Sequence, residues 1–345
     1  MATAKVKKTS FRFGGQSDHN PLSCNLLEDC RSDKESQSFF SFMENSIIWL
    51  KKLGKFRTSE TYTSTMNSFR RFLRESTSDK GGNDSDVLIV DVDSDMIMAY
   101  EEWLRNEGLS QNTSSFYMRN LRAIYNRAVE KGLTLQRCPF RYVYTGVEKT
   151  TKRAVPLNVI RQIRKLDLSR NPSQDFAKDM FLFSFYTRGM SFVDMAYLKK
   201  TDLCGGILSY IRRKTGQKLF IRLEKCMQEI IDKYDMPESI YLLPIIKVSK
   251  NVDERTQYIS MSHRVNRGLK NIGKRLDFPH PLTMYVARHA WASIARSKNV
   301  PLSVISEGMG HNSESTTRIY LASLDRMVID KANVLILKSL QENNV

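Results

Sequence analysis

Hydrophobic residues recur every three or four positions in the part of the chain that follows residue 38. In "TYTSTMNSFRRFLRES", one apolar side chain falls on each helical turn, at Tyr62, Met66, Phe69 and Leu73. This spacing predicts an amphipathic helix that buries a single face. The basic residues of the segment fall mostly outside that face, at Arg70, Arg71 and Arg74.

The segment "YMRNLRAIYNRAVEKG" repeats this arrangement farther along the chain. Its apolar face consists of Met118, Leu121, Tyr125 and Ala128, and its polar face of Arg119, Arg122 and Asn126. Gly132 is expected to end this helix, and "DVDSDMIMAYEEWLRNEG" predicts another helix that ends at Gly108. Residues 38–147 are therefore predicted to form a small domain of four or five helices.

The pattern changes after the polar stretch "TGVEKTTKRAVP", where a linker is predicted over residues 148–155. Two later stretches, "LNVIRQIRKLDL" and "FAKDMFLFSFYTRGMSFVDMAYLKKTDL", are typical of helices. By contrast, "GILSYIRRKTGQKLFIRL" alternates β-branched and aromatic residues around a Lys-Thr-Gly-Gln turn, which predicts a β-hairpin. Residues 156–328 are thus predicted to form a second domain of α+β type, in a chain that is mainly α with a small β-sheet.

The net charge narrows the class of partner. The chain carries a formal charge of +17 and has a pI near 9.6, which points to a polyanion, either a nucleic acid or an acidic membrane surface. A nucleic acid is favoured because the longest apolar runs, "MFLFSFY" and "IYLLPII", are far shorter than the roughly 20 residues that span a bilayer. The first residues lack the apolar core of a secretory signal. Five scattered cysteines without a CxxC pair favour reduced thiols and a cytoplasmic location.

Neither a metal site nor a nucleotide site is predicted, and no cofactor or small-molecule substrate is expected. The five histidines show no HExxH or His/Cys zinc spacing. The stretch "RGLKNIGKRL" has the form GxxxxGK, but Arg275 stands where a P-loop has serine or threonine, and its context is helical. A basic enzyme without these groups can still cleave a phosphodiester by covalent catalysis. A tyrosine nucleophile would store the energy of the broken backbone bond as a phosphotyrosine ester, so rejoining would need no ATP.

Several stretches together resemble one family, the tyrosine recombinases or phage-type integrases, and within it short bacterial members of mobile elements and invertases. The stretches are "RKTGQ", "YVARHAWAS", "EGMGHNSESTTRIY" and the tail "DKANVLILKSL". In addition, "NTSSFYMRNLRAIYNRAVEKG" is similar to the SAM-like core-binding domain of that family. The resemblance covers residues 38 to 345. It implies an N-terminal SAM-like helical domain followed by an α+β catalytic domain.

The resemblance also implies a role for each matching residue. Tyr320 would be the nucleophile that forms a 3′-phosphotyrosyl bond. His311 would bind the scissile phosphate or manage the tyrosine proton, and Arg288 would bind a non-bridging oxygen. Lys214, at the hairpin turn, would protonate the leaving 5′ oxygen. The ordinary alternatives are a packed core tyrosine, a structural helix arginine and a solvated turn lysine.

This sequence departs from the family pattern at two positions. Tyr285 stands where the family has histidine or lysine, and a phenol donates one hydrogen bond without charge. Ser191 stands where the first catalytic arginine belongs, three residues before Asp194. Arg188 is the preferred substitute, because it lies one helical turn before Ser191 on the predicted helix. Arg212, two residues before Lys214 on the hairpin, is the rival substitute.

Double-stranded DNA is the partner that these features imply. Phosphate contacts are predicted at the arginine-rich helix faces and the basic hairpin, at Arg70, Arg71, Arg74, Arg119, Arg122, Arg213 and Lys218. The family works as a tetramer on two DNA sites, so a homo-tetramer acting in integration, excision or inversion is expected, in association with the nucleoid. The alternatives are a non-catalytic DNA-binding relative and a type IB topoisomerase that relaxes DNA.

The two ends of the chain are predicted to lie outside both domains. Residues 1–37 are polar, mixed in charge and without sustained periodicity, which is typical of a flexible arm. They form no complete arm-binding domain of the kind that larger integrases carry. Residues 329–345 contain the apolar run "VLILKSL", which resembles the tail helix that family members dock on a neighbouring subunit. A helix that packs within its own chain is the alternative.

Overall fold

The structure is a computed structural model. It describes residues 37–77, 86–148, 154–247 and 252–321, together with positions 333, 334 and 337. The chain divides into two compact units, Met1–Lys149 and Thr150–Val345. The predicted arm, the centre of the predicted linker and nearly all of the predicted tail helix lie outside the described residues. Within the described ranges, no helix is long and apolar enough to cross a membrane.

The first unit is built from α-helices. These are α1 (Phe39–Lys52), α2 (Phe56–Thr77), α3 (Ser94–Asn106) and α4 (Gln111–Glu130), with a short 3₁₀ turn at Ile89–Asp91. Polar side chains cap their first turns: the Ser38 hydroxyl accepts from the Ser41 amide at 3.0 Å, and the Asp93 carboxylate accepts from the Met96 amide at 2.8 Å. Such caps satisfy amide groups that have no partner within the helix.

The two predicted apolar faces are confirmed as the core of this unit. Residues 62, 66, 69 and 73 of α2 are buried, and so are residues 118, 121, 125 and 128 of α4. Phe69 and Tyr100 are fully buried and pack edge to face, with ring centroids 5.0 Å apart. A neighbouring ring, Phe72, stacks on Phe69 at 6.0 Å. Burying large side chains of this kind contributes about 1.5–3 kcal/mol each, so the aromatic core holds the helices together.

The second unit places helices around a small sheet. Its helices are α5 (Leu157–Lys165), α6 (Pro172–Tyr186), α7 (Phe192–Ala196), α8 (Lys225–Lys233), α9 (Glu254–Arg275), α10 (Met284–Ser297), α11 (Leu302–Gly308) and α12 (Glu314–Tyr320). The strands are β1 (Leu203–Cys204), β2 (Ile207–Ile211) and β3 (Lys218–Arg222), paired antiparallel in the order β1-β2-β3. Helix α6 packs against both α9 and α10 at the centre of the core. The mainly α fold with a small sheet is confirmed.

The predicted hairpin is β2 and β3, with Ile211 opposite Lys218 at its closed end. Its apolar residues alternate between the two faces, and Leu208, Tyr210, Leu219 and Ile221 turn into the core. This period of two is the pattern of a strand with one buried face. The short strand β1, which extends the sheet beyond the hairpin, was not predicted.

One predicted helix is interrupted, which corrects an argument from the sequence. Helix α6 ends at Tyr186, and the chain turns through Arg188 (φ +59°) and Gly189 (φ +72°) before α7 begins. Ser191 caps α7 and accepts from the Asp194 amide at 3.4 Å. Arg188 and Ser191 therefore do not share a helix face. Left-handed backbone at two consecutive residues cannot continue a right-handed helix.

Candidate active site

Three of the predicted catalytic side chains meet at the turn formed by Met309 and Gly310. Arg288 on α10 donates from Nη2 to the Met309 carbonyl at 2.7 Å. Arg212, directly after β2, donates from Nη1 to the Gly310 carbonyl. His311 follows the same turn, and all three side chains are about 95% buried. Two guanidinium groups thus hold successive carbonyls immediately before the histidine.

The break between α6 and α7 positions Arg288. The Gly189 carbonyl accepts from Arg288 Nη1 at 2.6 Å. A Cβ atom at Gly189 would lie 2.8 Å from the Arg288 Cα and 2.9 Å from its Cγ, closer than real Cβ contacts come. Glycine at this position is therefore required for the turn to approach α10 closely.

Gly310, the glycine of the "GH" pair, likewise allows a close approach, here between its own turn and Arg212. Gly310 has φ +66°, and a Cβ there would lie 2.8 Å from Leu219 Cδ1 and 3.1 Å from Arg212 Cδ. The turn that carries His311 can therefore lie directly on the hairpin. The Thr215 hydroxyl, at the hairpin turn, also donates to the Gly310 carbonyl at 3.3 Å.

The hairpin is further fixed by the acid that follows the "TRGM" turn. The buried Asp194 carboxylate accepts from the Arg213 amide at 3.0 Å through Oδ1. Its Oδ2 accepts from the Ser191 hydroxyl at 2.6 Å. Ser191, which occupies the expected arginine position, thus supports the acid that anchors the hairpin instead of facing the three clustered side chains.

His311 is held on both ring nitrogens. Its Nε2 lies 2.8 Å from Arg288 Nη2, and its Nδ1 lies 2.8 Å from the Thr317 hydroxyl. Burial, followed by the positive charges of Arg288, Arg212 and Lys214, lowers the pKa of His311 from 6.5 to about 3. The imidazole is therefore neutral throughout the physiological range.

This low pKa predicts a loss of stability on acidification. Because the pKa of His311 is about 3 in the folded chain and near 6.5 in the unfolded chain, only the unfolded state gains the proton between these values. The His311 contribution to the free energy of unfolding should fall by on the order of 1 kcal/mol from pH 7 to pH 5. Urea unfolding of wild type and His311→Gln at both pH values measures this change in the free energy of unfolding. Equal pH dependence in the two proteins would contradict it.

Lys214 lies at the exposed turn of the hairpin, and its charge is one of those that lower the pKa of His311. Tyr320 is the last residue of α12 and follows Thr317 by just under one helical turn. The position of the Tyr320 side chain lies outside the described part of the structure. The short helix that carries this tyrosine therefore begins directly beside the buried histidine.

Arg188 and Tyr285 are not among the side chains that meet at the turn of Met309 and Gly310. Arg188 lines a groove of about 500 Å³ together with Trp291, Glu307 and Gly308, and its charge is not among those that lower the pKa of His311. Tyr285 is 56% exposed on α10, and its ring packs edge-on against His289 with centroids 4.3 Å apart.

The arginines predicted for DNA contact on α2 are engaged within their own unit. Arg70 pairs with Glu44 at 2.9 Å. Arg71 pairs with Glu75 and Glu107, each at 2.8 Å. These acids offset much of the positive charge that the sequence assigned to this helix face. Arg74 is exposed on the same helix.

The other predicted contact residues are less neutralised by acids. On α4, Arg119 is half-buried, and Arg122 donates to the Thr145 hydroxyl at 3.1 Å. On the hairpin, the Arg213 guanidinium lies 3.8 Å from the centroid of the Tyr197 ring. The Lys218 ammonium lies 5.2 Å from the ring centroid of Phe220. The aromatic rings orient these cations without cancelling their charge.

Sequence reasoning missed Thr317, Thr215 and the anchoring role of Ser191. The threonines stand inside quoted motifs, but nothing in their spacing shows which backbone or ring nitrogen they contact. Over residues 37–77, 86–148, 154–247 and 252–321, no group of three histidine, cysteine or acidic side chains could hold a metal ion.

Comparisons with known proteins match both units. A family model described as the phage integrase SAM-like domain matches residues 38–142, and one described as the phage integrase family matches residues 209–327. A tyrosine recombinase of Thermosipho africanus (strain TCF52B) is 21% identical over 276 residues, which cover 79% of this chain and 93% of that protein.

Solved structures share the fold at low sequence identity. A lambda integrase dimer bound to a COC′ core site has a TM-score of 0.62 at 18% identity, covering 88% of this chain and 81% of that one. A lambda integrase tetramer bound to a Holliday junction has a TM-score of 0.61 at 16% identity, over 88% and 82% of the two chains. The Tn1549 transposon integrase in complex with a circular intermediate DNA has a TM-score of 0.59 at 14% identity, over 88% and 100%.

The helical first unit and the α+β second unit define an integrase-type protein. More specifically, the chain belongs to the tyrosine recombinase family and is a site-specific recombinase. The resemblance seen in the sequence is thereby confirmed.

Proposed function

We propose that this chain cuts and rejoins double-stranded DNA through a covalent bond between Tyr320 and a 3′ phosphate. The observation that carries the proposal is the meeting of Arg212, Arg288 and neutral His311 at one turn, next to the helix that bears Tyr320. Buried cations gathered around a histidine stabilise a phosphate whose negative charge increases during attack.

Each side chain would have a defined part in the proton balance. The Tyr320 oxygen attacks phosphorus and the bond from phosphorus to the 5′ oxygen breaks. His311 is neutral, so it can accept the phenolic proton, and Lys214 donates a proton to the leaving 5′ oxygen. The reverse sequence restores the backbone, which is why no external energy source is needed.

The geometry favours Arg212 over Arg188 as the substitute for the missing first arginine. Arg212 is 4% exposed, contacts the carbonyl before His311 and lowers the pKa of His311. Within the described residues, its Nε is buried without a hydrogen-bond partner, so a phosphate oxygen would satisfy it after a small shift. The helix-face argument for Arg188 does not hold, because α6 ends before it.

A nicked DNA substrate that carries the recognition site tests the proposal, since it traps the covalent adduct. A footprint on the same DNA separates the alternatives. A type IB topoisomerase would form adducts without site preference, and a non-catalytic relative would protect its site without forming any adduct.

DNA contact is proposed chiefly for the α4 face and the hairpin, at Arg119, Arg122, Arg213 and Lys218. Aromatic rings orient the cations of Arg213 and Lys218, and the Thr145 hydroxyl orients that of Arg122, which supports phosphate binding at these three residues. On α2, Arg74 is exposed, and Arg70 and Arg71 pair with acids. Affinity should fall with rising salt, because bound phosphates release counterions. A cytoplasmic, nucleoid-associated location follows from this proposal.

A homo-tetramer on two DNA sites is proposed from the family and from the lambda integrase tetramer described as bound to a Holliday junction. We propose that the tail, residues 329–345, docks on a neighbouring subunit. Val334 and Leu337, one helical turn apart in sequence, are both about half exposed. Integration, excision and inversion are all compatible with this assembly.

Deletion of residues 330–345 is expected to weaken assembly while leaving binding to a single site largely unchanged. The tail carries apolar side chains that a neighbouring subunit would bury, whereas the proposed DNA contacts lie elsewhere. Gel shifts with one-site and paired-site DNA measure both properties. The double variant Val334→Ser/Leu337→Ser keeps the length of the tail and removes two of its apolar side chains, so it is the matched comparison for the deletion. Normal paired-site complexes in both the deletion and the double variant would contradict the docking role.

A further inference from the structure

Thr317 contacts the ring of His311 from the side opposite Arg288. Its hydroxyl lies 2.8 Å from His311 Nδ1, and Thr317 is fully buried in the second turn of α12. Arg288 Nη2 lies 2.8 Å from His311 Nε2 on the other side of the ring. The imidazole is thus held between a guanidinium and a hydroxyl.

These two contacts are chemically unequal: Arg288 selects the nitrogen that accepts, and Thr317 accepts the proton of the other nitrogen. A guanidinium can only donate hydrogen bonds, so Nε2 of His311 must accept from Arg288 with its lone pair. In a neutral imidazole the proton then lies on Nδ1. A threonine hydroxyl can accept a hydrogen bond, so the Nδ1–H donates to Thr317 Oγ1.

We propose that Thr317 is a positioning residue that holds His311 as the Nδ1–H tautomer, with the basic lone pair of Nε2 on the side of Arg288. This inference rests on the proposed function, in which His311 accepts the proton of the nucleophile. That proton would go to Nε2, whose lone pair becomes available when Arg288 Nη2 turns from the imidazole to the bound phosphate oxygen. The opposite tautomer would direct an Nε2–H at the Arg288 guanidinium, donor against donor, and would leave no lone pair there to accept a proton.

The charges around the ring strengthen the need for such a partner. Arg288 on α10 contacts His311, and the positive charges of Arg212 after β2 and Lys214 at the hairpin turn also act on it. An imidazole among cations is kept neutral, so the position of its single ring proton is what the protein must control. Because α12 carries both Thr317 and Tyr320, one short helix positions the proposed nucleophile and orients its proposed base.

The test compares Thr317→Val, which keeps the side-chain shape but removes the hydroxyl, with Thr317→Ser, which keeps the hydroxyl. The full chain, labelled with ¹⁵N in its histidines, gives the His311 tautomer from long-range proton–nitrogen spectra, and His311→Asn assigns the signal. The rate of adduct formation on nicked site DNA is measured in parallel. Thr317→Val leaves a buried Nδ1–H without an acceptor, so a fraction of His311 should shift toward the Nε2–H form against the opposing Arg288 donor, and adduct formation should slow about 10- to 100-fold. Thr317→Ser should restore both the tautomer and the rate.

Three results would overturn the inference. They are an Nε2–H tautomer in the wild type, an unchanged tautomer and rate in Thr317→Val, or a slower Thr317→Val enzyme whose His311 keeps the Nδ1–H form. The last result would mean that Thr317 acts only by packing α12. Thr317→Ala repeats the comparison if the valine variant does not fold. If the wild type forms no adduct, the proposed function fails, and the tautomer measurement still decides the role of Thr317.

Discussion

The Tyr320→Phe variant is expected to form no covalent adduct with a nicked substrate that carries the recognition site. Phenylalanine retains the ring and removes only the oxygen that would attack phosphorus. Loss of a sole nucleophile should reduce adduct formation at least about a thousandfold, because the remaining cations have no covalent step to assist. A nick close to the cleavage point releases a short strand, so the wild-type adduct accumulates and can be counted on a denaturing gel.

Two controls make this result specific. Tyr285→Phe removes a phenol from the exposed face of α10, and it should change adduct formation by no more than about tenfold, because a neutral phenol supplies at most one hydrogen bond. Site binding by Tyr320→Phe should match the wild type in gel shifts, which separates chemistry from recognition. Equal adduct formation by wild type and Tyr320→Phe would remove Tyr320 from the mechanism.

The sequence predicted the helical unit well because helix packing there depends on local periodicity. The apolar faces of α2 and α4 recur with the helical period, and every residue assigned to them is buried. The hairpin could be predicted equally well, because the buried residues Leu208, Tyr210, Leu219 and Ile221 alternate with a period of two. Strand β1 has only two residues and is too short to show either period.

The arrangement of the site could not be predicted from the sequence as well, because it depends on close approaches between segments that are distant in the chain. The pattern across "FYTRGMSFVDM" indicated a continuous helix, yet Arg188 and Gly189 adopt left-handed backbone so that the turn can contact Arg288. No spacing rule shows that Gly310 must lack a Cβ for His311 to lie on the hairpin. Likewise, the exchange of arginine for serine at position 191 becomes understandable only when its bond to Asp194 is seen.

The acids that pair with the α2 arginines are another case in which contacts between distant segments could not be predicted from the sequence. Arg70 and Arg71 lie on a polar helix face, as predicted, but Glu44 comes from α1 and Glu107 follows α3. A helix face that is basic in the sequence can therefore lose much of its positive charge in the fold, when acids from other segments pair with it. The hairpin differs, because Arg213 and Lys218 lie over aromatic rings that leave their charge uncancelled.

Arg212→Ala is expected to lower the rate of adduct formation about a thousandfold, whereas Arg188→Ala should change it by no more than about tenfold. Arg212 is buried at the turn that carries His311, where a guanidinium can stabilise the charge developing on phosphate. Arg188 lines an adjoining groove beside Trp291, Glu307 and Gly308, and its charge is not among those that lower the pKa of His311. The two variants remove the same functional group, so each is the matched control for the other.

Arg212→Lys refines the comparison, because lysine keeps the charge but lacks the planar fork that can hold the Gly310 carbonyl and a phosphate oxygen together. Its rate should fall between those of the wild type and Arg212→Ala. Thermal unfolding and site binding of all three proteins show whether the turn remains folded. A folded Arg212→Ala protein that cleaves at the wild-type rate, beside an inactive Arg188→Ala, would assign the missing arginine to position 188. That outcome would also require the Arg188 side chain, which lies beside Gly308, to extend from its groove toward the turn of Met309 and Gly310 when DNA binds.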